Sequence, residues 1–144
     1  MQKTKHRVLL VEDNPADADL VEEALEEAQL DCELRVMRNG QQAIELIESL
    51  ESGGVQEMPD LVLLDLNLPK VTGDVVLERV RSSPRCREAK VFIISSSDAP
   101  ADRERAMKLG AIGYFRKSSN LADFMKIGPR VRAILEGSCN SIGT

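Results

Sequence analysis

Val8-Leu9-Leu10-Val11-Glu12-Asp13-Asn14-Pro15 decides the fold. Four strand-forming apolar residues run without alternation, the pattern of a strand covered on both faces. The run stops at two acidic residues. Asn14-Pro15 then reads as a helix N-cap followed by proline at the first helical position, where a missing N–H costs nothing. Leu20, Val21, Ala24, Leu25 and Ala28 follow at helical spacing, with Glu22, Glu23, Glu26 and Glu27 on the opposite face. A buried strand that turns directly into an amphipathic helix is a βα unit.

The unit recurs along the chain. Leu34 and Val36 alternate with polar neighbours, as in a half-buried second strand, and Asn39-Gly40 is a turn signal ahead of a helix carrying Ala43, Ile44, Ile47 and Leu50. Ser52-Gly53-Gly54 ends that helix and opens a loop to Pro59. Leu61-Val62-Leu63-Leu64 is a third strand closed by Asp65, and a short helix is expected over Gly73–Arg81. Val91-Phe92-Ile93-Ile94 is a fourth strand closed by Ser95. A helix is expected over Asp98–Leu109, with Gly110 as its C-terminal cap. Gly113–Arg116 is a fifth strand closed by Lys117. Leu121, Phe124, Met125, Val131, Ile134 and Leu135 outline a last helix, which Gly128-Pro129 should kink or break. Alternating strands and helices imply a parallel sheet covered on both faces. The expected class is α/β, a doubly wound (βα)5 three-layer sandwich of flavodoxin-like type with strand order 2-1-3-4-5. The domain should span residues 7–136, between a polar tail at 1–6 that includes His6 and a frayed tail at 137–144, with no output domain following.

Composition narrows the function. The chain has 144 residues, enough for one domain with its own core. With 24 acidic against 19 basic side chains, net charge −5, the balance does not favour nonspecific binding to nucleic acid, which needs a basic face, and argues against an anionic membrane surface. No apolar run reaches the length of a signal peptide core or a membrane span. Cys32, Cys86 and Cys139 are odd in number, widely spaced and without a CxxC pair, so they read as free thiols of a reducing compartment, and a cytoplasmic location is expected. One histidine and scattered cysteines do not make a zinc site.

The chemistry collects at strand ends. Strand one ends in Glu12-Asp13, strand three in Asp65, strand four in Ser95 and strand five in Lys117. In a parallel sheet all these ends lie along one edge, where ligands bind near the switch point between the first and third strands. Three carboxylates sharing one cleft repel one another, and their pKa values rise unless a cation neutralises them. Hard carboxylate oxygens with room for water suit Mg²⁺, with Mn²⁺ as an alternative. Mg²⁺ in turn favours phosphoryl chemistry, to which Lys117 adds positive charge and Ser95 a hydrogen bond. Asp65 is the natural nucleophile, because aspartate can form an acyl phosphate.

Glu12-Asp13 after VLLV, the segment Leu63-Leu64-Asp65-Leu66-Asn67-Leu68-Pro69, Gly73, Ser95 and Lys117 together resemble the receiver domains of two-component response regulators. The resemblance covers about residues 7–136. Val11-Glu12-Asp13-Asn14-Pro15-Ala16-Asp17, Leu66–Lys70, the Gly53–Asp60 loop and Lys117-Ser118 look like the small regulators paired with bacterial and cyanobacterial phytochrome kinases. The resemblance implies that Asp65 accepts a phosphoryl group from a kinase phosphohistidine, without the protein being an enzyme in the turnover sense. It implies that Asp13 binds the metal directly, Glu12 through water and Asn67 through its carbonyl, while Asp65 contributes its carboxylate. It implies that Lys117 pairs with the phosphoryl group, that Ser95 and Tyr114 switch with its arrival, and that Asn67 and Ser97 set the acyl-phosphate lifetime. The signal would leave through the face of the fourth helix, fifth strand and fifth helix, to a downstream protein or a second copy in a homodimer.

One departure stands out. The family usually has a cis proline after the lysine, whereas this chain has Ser118, for which a cis bond costs ~3 kcal/mol and trans is expected. Three other readings compete. A flavin-binding protein needs a Gly/Ser/Thr-rich phosphate loop after strand one, and Glu-Asp-Asn-Pro is acidic there. A Mg²⁺-dependent phosphatase of similar fold usually carries its nucleophile after strand one, not strand three. A phosphorylation-independent interaction module of the same fold usually lacks an acidic, nucleophilic or lysine residue, and none is missing here. Each residue alone has a plainer reading, as a turn, a cap or a surface charge. Independent turn residues need not converge on one sheet edge.

Overall fold

The computed structural model describes residues 5–53 and 58–137; most of the loop expected before Pro59, Cys139 and both chain ends lie outside this range. The elements alternate as the apolar runs require: β1 (His6–Val11), α1 (Pro15–Glu27), β2 (Cys32–Met37), α2 (Gly40–Glu51), β3 (Leu61–Asp65), α3 (Gly73–Ser82), β4 (Lys90–Ser95), α4 (Pro100–Lys108), β5 (Gly113–Arg116), α5 (Leu121–Phe124) and α6 (Ile127–Gly137). All pairings are parallel and the order is β2-β1-β3-β4-β5, as expected. His6, expected in the tail, instead opens β1 and pairs with Cys32.

Successive residues of the central strands point to opposite faces, and the core divides accordingly. Leu9, Val11, Val62, Leu64, Val91 and Ile93 pack under α2, α3 and α4. Val8, Leu10, Leu61, Leu63, Phe92 and Ile94 pack under α1, α5 and α6. β2 is an edge strand, and Val36, expected to be half buried, is exposed.

Three expectations need correction. Asn39-Gly40 is not a turn: Asn39 caps α2 by accepting from the Gln42 N–H at 2.8 Å, and Gly40 is its first residue. α4 begins at Pro100 rather than Asp98, because a residue before proline is pushed out of helical geometry, and Ala99 is extended at φ −69°, ψ 125°. The last helix does break, but ahead of Pro129, between Phe124 and Ile127. Placing the break there puts proline in the first turn of α6, where no N–H is needed, and frees the Met125 carbonyl to accept from Gly128 at 3.1 Å. α6 packs on α1 through Gly128, where a Cβ would collide with the Ala24 carbonyl. Gly110 caps α4 as expected, at φ +92°, with Ala111 donating to Ala106 and Gly110 to Met107, both at 3.0 Å. Cys32 and Cys86 are free. Among the described residues no helix is long and apolar enough to cross a membrane.

Candidate functional site: an acidic cleft around Asp65 and Lys117

Strand register builds the site. Val11 aligns with Leu64, Asp65 with Ile94, and Ser95 with Arg116. Glu12 therefore stands level with Asp65, Ser95 one position beyond that level and Lys117 two, all past the same sheet edge, and the Lys117 N–H donates to the Ser95 carbonyl at 2.7 Å. Among the described residues no peptide bond is cis, so the link to Ser118 is trans as expected. The trans link does not keep Lys117 out of the cleft.

The Lys117 ammonium is the centre. It lies 2.8 Å from Glu12 Oε1, 2.9 Å from Asp17 Oδ2 and 3.0 Å from Asp65 Oδ2. Burial alone would lower its pKa; the hydrogen bonds to Glu12 and Asp17 and the charge of Asp65 more than reverse this and hold it above the usual lysine range. Glu12 is fully buried. Burial pushes its carboxyl up to about 7; the hydrogen bond from Lys117 opposes the rise and the negative charge of Asp65 adds to it. Its Oε2 accepts from the Asn14 N–H at 3.1 Å, and Asn14 in turn caps α1 by accepting from Ala16 and Asp17. The carboxylate of the first strand end and the start of the first helix are thus one assembly.

Asp65 is nearly buried, with Oδ2 toward Lys117 and Oδ1 accepting from the Asn67 N–H at 3.0 Å. Gly73 explains how α3 can start beside it, since a Cβ there would collide with the Asp65 carbonyl. Carboxylate oxygens of Glu12, Asp13 and Asp65 all lie within 4.8 Å of one another, with Asp13 exposed. One ammonium cannot neutralise them together with Asp17, so the set retains negative charge and fits a hard divalent cation.

An outer layer connects to this centre. The Asn67 side-chain amide donates to Ser95 Oγ at 3.3 Å, the Ser97 N–H donates to the same oxygen at 3.1 Å, and the Tyr114 hydroxyl donates to the Ser97 carbonyl at 3.0 Å. Tyr114 is buried, under the Arg103 guanidinium. The Ser97 hydroxyl turns toward α4, donating to Asp102 at 2.6 Å and accepting from the Ala99 N–H. Sequence reading brought Glu12, Asp13, Asp65, Asn67, Ser95 and Lys117 to one place, and the fold does the same. It missed Asp17. An acidic residue in the first turn of a helix reads as a companion of the helix dipole, and only the reach of the Lys117 side chain from beyond β5 to the start of α1 reveals its second partner.

Comparison with known proteins agrees with this geometry. The response regulator receiver domain model matches residues 8–127. Response regulator Rcp1 of Synechocystis sp. is 35% identical over 120 residues, 83% of this chain and 82% of that protein. Among solved structures, the phosphorylated cyanobacterial phytochrome response regulator RcpA superposes with a TM-score of 0.84 at 32% identity, covering 94% of this chain and 97% of that one. The Mn²⁺-bound form of Rcp1 superposes with a TM-score of 0.80 at 31% identity, covering 92% and 96%. A family-model match over residues 8–127, together with relatives more than 30% identical over most of the chain, shows that this protein belongs to the response-regulator receiver family.

Proposed function

We propose that this receiver takes up a phosphoryl group on Asp65 from the phosphohistidine of a sensor kinase, as one step of a two-component phosphorelay. The observation that carries the reading is the contact between the buried Asp65 carboxylate and the Lys117 ammonium inside an acidic cleft. In the reaction an Asp65 carboxylate oxygen attacks phosphorus, the donor P–N bond breaks, and the imidazole leaves with the bonding pair and takes a proton from solvent. Lys117 follows the charge outward from the carboxylate to the phosphoryl oxygens. Glu12, Asp13, Asp65 and the Asn67 carbonyl would hold Mg²⁺, with Mn²⁺ able to replace it. The bound cation would offset negative charge on the transferring group. Slow loss of the phosphoryl group to water is the only other reaction assigned to the protein, with Asn67 and Ser97 beside its path.

Ser95 is the relay. Its Oγ accepts two hydrogen bonds, from Asn67 and Ser97. A phosphoryl oxygen on Asp65 competes for the Ser95 hydroxyl proton, and movement of Ser95 loosens Ser97 and with it the Tyr114 hydroxyl bond. The readout surface is then α4, β5 and α5–α6, where Met107, Ile112 and Leu121 are exposed. A downstream protein or a second copy of the chain would read it. The names of the relatives, phytochrome response regulators among them, support a phytochrome-like kinase, and the reducing chemistry of free thiols supports a cytoplasmic location.

The test is intact-protein mass spectrometry after incubation with Mg²⁺ and acetyl phosphate. The expected result is one added phosphoryl group, labile to alkali and absent from Asp65→Asn, which keeps its fold by circular dichroism. Labelling retained by Asp65→Asn overturns the site. No labelling by acetyl phosphate or by any phosphohistidine donor returns the chain to the phosphorylation-independent interaction module.

A further inference from the structure

Lys117 has three N–H donors. The resting structure holds the ammonium against three carboxylates: it donates to Asp17 at 2.9 Å and to Asp65 at 3.0 Å and lies 2.8 Å from Glu12 Oε1. A phosphoryl group arriving at Asp65 raises the charge there from about −1 to about −2 and brings three acceptor oxygens that need Lys117. The three present partners are unequal. The Glu12 side chain is 0% exposed and that of Asp65 4%, whereas that of Asp17 is 26% exposed. A buried carboxylate that loses its cation pays the full cost of desolvation, while one at the cleft mouth takes water instead. Asp17 also has a second source of support. It is the third residue of α1, where the free N–H groups and the positive end of the helix dipole favour a carboxylate.

We propose that Asp17 is a positioning residue that holds Lys117 back in the resting state and yields it to the phosphoryl group, so that it sets how readily the site is phosphorylated. The inference rests on the phosphoacceptor reading of Asp65. Asp17 touches neither the phosphoryl donor nor Asp65 in the contacts described; it acts through the lysine. It also contributes one negative charge to a cleft about to gain another. Removing that charge lowers the repulsion met by the incoming group and releases Lys117 from one of its ion pairs.

The experiment compares wild type, Asp17→Asn and Asp17→Glu, with acetyl phosphate and Mg²⁺ as the probe. In this assay the donor P–O bond breaks, the Asp65 O–P bond forms and acetate leaves. The Asn variant is expected to label about three- to tenfold faster and, once purified, to lose the phosphoryl group more slowly by a similar factor. The Glu variant restores the charge and should stay within about twofold of wild type. A second measurement needs no phosphorylation: urea unfolding without metal, for Asp17→Asn with and without Lys117→Met. The effect of Asp17→Asn on the folding constant should differ at least about threefold between the two backgrounds, the mark of a direct coupling. An Asn variant that labels at the wild-type rate or slower, from a wild type that labels normally, overturns the proposal alone. Absence of coupling overturns it through the lysine. A wild type that never labels while the coupling is present removes the phosphoacceptor reading and the proposal with it, and leaves only the ion pair.

Discussion

Two carboxylate–cation contacts in this molecule use the same chemistry to opposite effect. On the surface, Arg79 of α3 grips Glu51 of α2 through both guanidinium nitrogens, at 2.5 and 2.8 Å. One cation meets one carboxylate, and the Arg79 hydrogen bonds pull Glu51 down to about 2. At the sheet edge Lys117 meets three carboxylates, and burial pushes one of them, Glu12, up to about 7. The surface pair is saturated and fastens two helices. The buried set carries more negative charge than its cation can match. A structural ion pair closes its charge balance, whereas this set leaves surplus negative charge that a cation would complete.

The comparison breaks most sharply at Lys117. Lys117→Met leaves Glu12 and Asp65 buried without a cation, and should cost roughly 3 kcal/mol at pH 8 in metal-free urea unfolding. The loss should shrink at pH 5, where Glu12 can be protonated. Next comes pH alone. Glu12 has a folded pKa of about 7 against an ordinary 4.5, so the folded state binds the extra proton. Its contribution is fully present below pH 4.5 and is lost as pH rises through 7, up to about 3 kcal/mol. Glu51 has the opposite sign: its contribution is present above its ordinary 4.5 and is lost as pH falls through about 2. Metal-free stability should therefore fall from pH 5 to pH 8, and Glu12→Gln should flatten that slope. Mg²⁺ sharpens the contrast. At about a hundred times its Kd it should restore roughly 2.7 kcal/mol at pH 8 to the wild type and leave the Glu51 limb of the curve unmoved. The smallest effect is expected for Arg79→Ala, within the scatter of surface substitutions at neutral pH, with a change visible only in the acid limb.

Much of this was legible from residues alone. Uninterrupted apolar runs such as Leu61–Leu64 and Val91–Ile94 mark doubly covered strands, and the topology of a parallel sheet then brings their polar ends together. What the sequence could not reveal depends on packing between segments far apart in the chain. Gly40 looked like a turn residue because its value lies in a close approach to Val71, 31 positions away. Val36 looked half buried because alternation does not say how much of an edge strand its covering helix reaches. The break in the last helix was expected at Pro129, but its location follows from where a missing N–H does least harm. Asp17 stayed hidden because α1 and Lys117 are a hundred positions apart. The rise in the pKa of Glu12 follows chiefly from burial, which no residue pattern states.

Tyr114 has a consequence of another kind. The chain holds one tyrosine, three phenylalanines and no tryptophan, so the emission excited beyond the phenylalanine band comes from a single ring. That ring is wired to the cleft through the Ser97 backbone and Ser95 Oγ. A phenol donating to a backbone carbonyl emits more weakly than one released to water, so a movement of Ser95 that releases the Tyr114 hydroxyl would change that emission. The proposed switch would thus carry its own optical gauge, readable without a label, a mutation or a partner.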